Sequence, residues 1–373
     1  MPKKILIFSV SIGSGHDSAA KALKSNFIEK LPDAKVKIID TFDYINSTLH
    51  KVVVGSYMET LKFNPKVWGY LYRQAEYGDR IVDLGQILNK LLSYKLHQLV
   101  EEFHPDAIIC THAFPAGMVS VLKAQTGLSV PIIVVLTDYT VHAFWIHDYI
   151  DYYVIPSDEL ESECISKGMP PDSIKPYGIP IRKEFSFKYD KKTIKEKMGL
   201  DERKVVLVMG GGLGLGAVQE TVKSLLHSSH DLQILAVTGH NVRLYNQLIK
   251  LRQEYNNLHV FGYIDNIVEH MTAADLIVTK PGGLTTAEVL AKKLPMVIMN
   301  PIPGQEYRNT EFLLNWGVAV KAERPGSLSS LINHLLKNSL RMKHMKEMAA
   351  YLAKPDAAKD ITDFVISSKE KSK

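Results

Sequence analysis

The sequence predicts two doubly wound α/β domains, each a parallel sheet wrapped by helices, with a ligand cleft between them. Three observations carry this. The apolar runs are short and continuous, as strands buried on both faces require. A strand, a glycine loop and a helix open the chain, and the same plan restarts after residue 200. The length of 373 residues suits two domains of ordinary size.

Ile5–Val10 reads as a first strand rather than a signal peptide, because Gly13, Ser14 and Gly15 follow too soon. Ala19–Ile28 has helical composition, and a second strand, Val36–Ile39, ends at Asp40. Residues 44–100 hold no good strand. They carry Tyr57, Phe63, Trp68, Tyr70, Tyr72 and Tyr77, interleaved with Lys51, Lys62, Lys66, Arg73 and Arg80, and read as inserted helices. Buried strands follow at Ala107–Cys110, Ile132–Leu136 and Tyr152–Ile155. After a join near Gly178-Ile179-Pro180-Ile181-Arg182 and a charged stretch from Lys188 to Arg203, the plan repeats. Strand Val205–Met209 leads into a loop, 210–216, of five glycines and two leucines, then a helix to about Leu226. Strands at Gln233–Val237, His259–Phe261, Leu276–Thr279 and Met296–Met299 complete the second sheet. The expected domains are 1–182 and 183–345, with 346–373 helical, then Lys-rich, and packing back on the first domain or fraying.

At 46% hydrophobic and 23% charged residues, the composition excludes a disordered chain. Two cysteines, Cys110 and Cys164, exclude a disulfide-stapled scaffold and a four-cysteine zinc site. No apolar run approaches the roughly 18 residues that span a bilayer, and the chain is expected inside the cell. The net charge of +5 divides as −2 over residues 1–190 and +7 over 191–373. That excess suits an anionic small ligand or an anionic surface, and is too small to argue for nucleic acid.

Gly13-x-Gly15-x-x-Ser18, with Asp40 ending the second strand, imitates a dinucleotide fingerprint but lacks its third glycine. His16 stands in that turn instead, where an imidazole serves better as a general base than as part of a pyrophosphate cradle. Asp138, after strand Ile132–Leu136, is a rival acid or base, and nearby Trp145 offers a stacking surface with His142 beside it. Gly282 and Gly283 open a helix after strand Leu276–Thr279, where bare N–H groups favour a diphosphate. One turn in, Glu288 has two readings. It either accepts from two ribose hydroxyls or completes a capping box with Thr285. Gln305 and Glu306, in the loop after Met296–Met299, suit sugar hydroxyls. No Asp-x-Asp occurs, which argues against a dedicated metal–diphosphate site. The aromatic–basic segment 57–80 fits either a membrane-interface helix pair or a core helix pair.

Five groups of residues in this order form one pattern. They are Gly13-Ser14-Gly15-His16 with Ala19-Ala20; Thr137-Asp138-Tyr139 with His142 and Trp145; Gly178-Ile179-Pro180; Lys280-Pro281-Gly282-Gly283 with Thr286 and Glu288; and Pro303-Gly304-Gln305-Glu306. The pattern resembles the bacterial diacylglycerol glucosyltransferases and plant monogalactosyldiacylglycerol synthases. These belong to glycosyltransferase family 28, with the peptidoglycan N-acetylglucosaminyltransferase. The resemblance runs from about residue 3 to 350, and the Gly-Ser-Gly-His spelling departs from the commoner Gly-Gly-Gly-His or Gly-Asn-Gly-His.

The resemblance implies a GT-B fold, two Rossmann-like domains facing a central cleft, with no metal or other cofactor and with inversion at the anomeric carbon. It implies Gly282, Gly283 and Thr286 at the diphosphate, Glu288 at the ribose, and Gln305 and Glu306 at the donor hexose. The uracil is expected on backbone groups of Gly262, Tyr263 and Ile264. His16 is the candidate base with Asp138 as rival, and Tyr57, Phe63, Trp68, Tyr72, His142 and Trp145 are candidates for acceptor and membrane contact. The expected reaction moves glucose from UDP-glucose to 1,2-diacylglycerol, with further glucose units as an extension, at the cytoplasmic face of the membrane. UDP-galactose as donor is the nearest alternative. A non-catalytic nucleotide-sugar sensor and a sugar-nucleotide epimerase are the others.

Overall fold

The computed structural model describes residues 4–11, 15–46, 94–214, 216–228, 231–322 and 325–368. The chain divides into two compact units, each with its own six-stranded, all-parallel sheet. The expected Tyr57, Phe63, Trp68 and Tyr72, like Gly13 and Ser14, lie outside the described residues.

The first unit comprises Met1–Lys183, Ile302–Gln305 and Lys354–Lys373. Its strands are β1 (Lys4–Ser9), β2 (Lys35–Asp40), β3 (Ala107–Cys110), β4 (Ile132–Val135), β5 (Tyr152–Val154) and β6 (Ile174–Lys175), in spatial order β2-β1-β3-β4-β5-β6. Every residue of β3 and β4 is buried, which is why both read as unbroken apolar runs. Helix α1 (Gly15–Lys30) crosses from β1 to β2, and a short α2 (Thr41–Ile45) follows. Helix α3 (Ala113–Thr126) joins β3 to β4, and α4 (Glu161–Ser166) follows β5. The two-residue β6 was not expected from sequence. It leaves too little chain for any apolar period to register.

The second unit comprises Glu184–Pro301 and Glu306–Ala353. Helix α5 (Lys191–Lys197) leads into β7 (Lys204–Met209), α6 (Val218–Ser228), β8 (Leu232–Val237), α7 (Val242–Arg252) and β9 (Leu258–Phe261). Then come α8 (Ile267–Ala273), β10 (Leu276–Thr279), α9 (Gly283–Ala291), β11 (Met296–Ile298) and α10 (Gln305–Asn315). Strand β12 (Ala319–Lys321), α11 (Pro325–Lys337) and α12 (Ser339–Leu352) end the unit. The spatial order β12-β11-β10-β7-β8-β9 builds outward from β7, then jumps back to β10 beside it. Such an order reversal leaves a crevice outside the carboxyl ends of the two strands, where open α/β sheets bind ligands. In the first sheet the same reversal falls between β1 and β3.

The closing helix α13 (Ala357–Ser367) belongs to the first unit. Its Ile361 and Val365 join the core made by Ala20, Leu23 and Phe27 of α1, with a Lys30–Asp363 ion pair at the rim. Gly178 makes this approach possible. Its φ is +98°, and an added Cβ would collide with the Lys354 side chain and lie 3.2 Å from the Ala357 Cβ. Gly178→Ala is therefore expected to cost about 1–3 kcal/mol, from backbone strain and the displaced helix. Urea unfolding reads this, and an unchanged midpoint would refute the packing account.

Candidate active site

At the first order reversal, the chain leaving β1 is fixed by carboxylates. Asp17, in the first turn of α1, accepts from Ser9 Oγ at 2.6 Å and Ser11 Oγ at 2.7 Å. Asp40 accepts from the Ser11 N–H at 2.8 Å and from the Asp43 N–H at 3.0 Å, capping α2. The Asp40 carboxylate thus serves as the cap of α2 and as a tether for the loop after β1.

His16 Nδ1 lies 2.9 Å from the Thr111 carbonyl and 2.9 Å from Thr137 Oγ1. A carbonyl only accepts, so Nδ1 carries the proton and the neutral ring keeps its lone pair on Nε2. Burial lowers the His16 pKa below 6.5, while the Thr111 carbonyl and the Asp17 charge pull it back up. The imidazole is therefore neutral near pH 7, as a general base must be. Asp138 follows Thr137 directly and is half-buried.

Sequence reasoning missed His112. Its ring meets His16 edge-on, with centroids 4.5 Å apart and planes at 70°. Its Nδ1 accepts from the Phe114 N–H at 3.1 Å, capping α3, so its proton sits on Nε2. Burial and the neighbouring His16 hold its pKa well below 6.5. An aromatic wall continues outward: His112 stacks on Phe114, which meets Phe42 at 5.4 Å and Phe144 at 6.4 Å. Trp145 lies 6.5 Å from His112 and is buried. His142 is buried too, its Nδ1 accepting from the Phe144 N–H at 3.2 Å. The available signal was Thr111-His112-Ala113-Phe114 at the carboxyl end of an apolar strand.

At the second reversal, three loops converge. Gly239, with φ +57°, would set a Cβ 2.7 Å from the Gly211 carbonyl, so only glycine lets this turn lie against the loop after β7. The His240 N–H donates to the Gly212 carbonyl at 2.9 Å. Its ring stacks on Tyr263 with centroids 4.2 Å apart, tying Gly262, Tyr263 and Ile264 to the same corner.

Helix α9 begins at Gly283 with Gly282 as N-cap, and no side chain caps it. Thr285 therefore lies inside the first turn and is not the N-cap, so the capping box with Glu288 does not form. The first turn of α9 carries no acidic side chain, and no side chain accepts from its first N–H groups. Beside them the Thr286 hydroxyl is buried and has no hydrogen-bond partner. Glu288 is half-buried one turn further on. Lys280 donates to Glu306 Oε1 at 3.2 Å, both side chains largely shielded from water. Asn309 Nδ2 donates to the Pro281 carbonyl at 2.9 Å, which fixes α10, with Gln305 at its first position, to this loop. Among the described residues, no group of three His, Cys, Asp or Glu side chains could hold a metal ion.

A family model for monogalactosyldiacylglycerol (MGDG) synthase matches residues 16–181, and one for the glycosyltransferase family 28 C-terminal domain matches residues 205–361. A protein of Bacillus cereus named processive diacylglycerol beta-glucosyltransferase is 32% identical over 371 residues, 98% of this chain and 93% of its own length. One of the same name from Bacillus cytotoxicus is 32% identical over 370 residues, 97% of this chain and 93% of its own. The fold is that of Acinetobacter baumannii MurG, with a TM-score of 0.61 at 15% identity, covering 98% of this chain and 100% of that one. Anabaena HepE, solved with UDP and glucose, gives a TM-score of 0.59 at 13% identity, covering 99% and 100%. The chain belongs to the family of the MGDG synthases and processive diacylglycerol beta-glucosyltransferases, and is a GT-B glycosyltransferase.

The two buried imidazoles set a pH dependence. Both His16 and His112 have native pKa values below the ordinary 6.5, so the unfolded chain binds more protons as pH falls. Their stabilisation is complete above 6.5 and is lost as pH falls through it toward the native values. Between about pH 7.5 and 5.5 the urea midpoint is expected to fall less in the H16N/H112N variant than in the wild type, with Asn still able to cap α3. Equal slopes would contradict neutral, buried imidazoles at both positions.

Proposed function

We propose that this member of the family transfers glucose from UDP-glucose to the free hydroxyl of 1,2-diacylglycerol, with inversion, giving a β-glucosyl diacylglycerol. Repetition on that product would extend it by further glucose units. The observation that carries the reading is the uncapped start of α9 beside the orphaned Thr286 hydroxyl. A buried hydroxyl without a partner costs about 1–3 kcal/mol, which a bound diphosphate oxygen would recover. The bare N–H groups and helix dipole favour the negative charge that grows on the leaving diphosphate. His16 Nε2 takes the proton of the acceptor hydroxyl, its oxygen bonds to the anomeric carbon, and the bond from that carbon to the diphosphate oxygen breaks. UDP leaves with the electron pair. Glu288 would hold the ribose, Gln305 and Glu306 the hexose, and the 262–264 loop the uracil. The reading assigns no metal to this step.

The lipid acceptor is supported by the names of the relatives, which also favour glucose. The match to the MGDG synthase family model keeps UDP-galactose as the competing donor. No helix among the described residues is long and apolar enough to cross a membrane. We infer peripheral attachment at the cytoplasmic face, with segment 57–80 as the docking element on anionic lipid.

Incubation with radiolabelled UDP-glucose or UDP-galactose plus diacylglycerol, followed by lipid chromatography, tests donor and acceptor together. A glucosyl lipid is expected, unaffected by EDTA. His16→Ala should lower kcat by roughly 10²–10⁴; unchanged turnover would transfer the role to Asp138. Thr286→Val should weaken UDP binding roughly tenfold without lowering Tm, since it removes an unpaired polar atom. Flotation with anionic vesicles should weaken as salt rises. Salt-insensitive binding would count against electrostatic docking.

A further inference from the structure

The second unit carries a groove of about 570 Å³ at the end of its sheet opposite the donor loops. Lys204 opens β7 and Asp275 immediately precedes β10, so the groove lies at the amino ends of these strands. The loops after Met209 and Thr279 leave from the carboxyl ends. Four lysines line the groove: Lys204, Lys293, Lys343 and Lys346. Leu336 and Met342, both packed on the core, supply an apolar floor.

The carboxylates present are already engaged. Asp275 accepts from Lys191 Nζ at 2.8 Å and the Val205 N–H at 2.9 Å, with Lys204 Nζ at 3.6 Å. Glu347, the other acid of the lining, pairs with Lys343 at 3.7 Å on its own helix. Lys346 and Lys293 add positive charge to this. Burial lowers the Lys191 pKa and Asp275 raises it, but the Lys346 and Lys195 charges lower it again, a sign of cation crowding.

Lys293 supplies an independent observation. The Lys293 N–H bonds the Leu290 carbonyl and the Leu294 N–H bonds the Val289 carbonyl, the bond pair of a Schellman motif, with Lys293 at φ +53°. Helices α4, α5 and α10 close with the same bond pair, and each places glycine at this position: Gly168, Gly199 and Gly317. A lysine here accepts backbone strain that glycine would avoid, and its side chain lines the groove.

We propose that this groove binds a phosphate-bearing anion, gripped by Lys293, Lys343, Lys346 and Lys204 and separate from the donor cradle. The apolar floor suits an anion with a short carbon skeleton, either a soluble phosphate ester or the phosphodiester of a lipid headgroup. Titration calorimetry on the full chain with inorganic phosphate and with glycerol 3-phosphate, at constant ionic strength, tests the soluble source. Flotation on phosphatidylcholine vesicles with and without phosphatidylglycerol tests the lipid source, read as the difference between wild type and K343Q/K346Q because the proposed docking segment 57–80 is present in both.

At least one probe should bind, saturating UDP should not displace it, and K343Q/K346Q should weaken it roughly tenfold. Lys293→Gly separates a functional from a structural lysine: binding should weaken while Tm stays level or rises. Loss of solute binding in the variants assigns a soluble ester, and loss of phosphatidylglycerol-dependent flotation alone assigns a lipid. Solute binding that survives both variants, displacement by UDP, or no solute binding together with equal phosphatidylglycerol-dependent flotation of wild type and variants would overturn the proposal.

Discussion

A strand buried on both faces in a parallel sheet cannot turn back onto its neighbour. Each connection must climb over the sheet as a helix and re-enter at the opposite end. Once the order of strands reverses, two successive crossovers lie on opposite faces and the loops at the carboxyl ends splay apart. Both sheets obey that constraint, between β1 and β3 and between β7 and β10. Residues distant in sequence are gathered beside these strands: His16, Thr111 and Thr137 in the first unit, and in the second the 210–214 loop bonded to the 239–241 loop, with 280–283 leaving the paired strand β10. The chemistry-bearing groups sit where the crossovers leave room.

At both reversals the main chain supplies much of the charge control. His16 is oriented by the Thr111 carbonyl, with the Thr137 hydroxyl beside it, and its neighbour Asp17 spends both oxygens on serines. The start of α9 presents peptide N–H groups, whose dipole is worth roughly 0.3–1 kcal/mol per neighbouring charge at an exposed helix end, and about 2 in sheltered ones. Backbone donors and acceptors hold their positions without the rotamer entropy that long charged side chains lose. Lys280 is the nearby exception, and its charge is already partnered by Glu306.

The repeat of strand, glycine loop and helix was legible because it is local: each apolar run ends where a glycine cluster begins. Two of the four edge strands, β6 and β12, were not. β6 has two residues and β12 three, and both owe their pairing to neighbours rather than to a pattern of their own. Thr285-x-x-Glu288 left two readings open because the motif fixes a spacing but not where the helix begins. Gly282, at ψ 144°, settles that start three residues earlier than a capping box needs. His112 was illegible for another reason. Its significance lies in a ring 96 positions away in sequence, and only the β1–β3 pairing brings the two together.

The choice between His16 and Asp138 as the proposed base turns on the same geometry. A base works best when its pKa lies near the working pH, where the neutral form is abundant and the proton is still held. An imidazole starts near that range, and burial moves His16 down from it while the Thr111 carbonyl and Asp17 draw it back. An aspartate carboxyl starts about 2.6 units lower and would need strong desolvation to match. Thr137 sharpens the contrast, because its hydroxyl contacts His16 Nδ1 and its neighbour in sequence is Asp138. An imidazolium formed on His16 would face the neutral ring of His112, kept uncharged by burial and by His16 itself, rather than a second cation. Of the pair, His16 is the ring whose Nδ1 proton is committed to a carbonyl, which leaves its lone pair on Nε2.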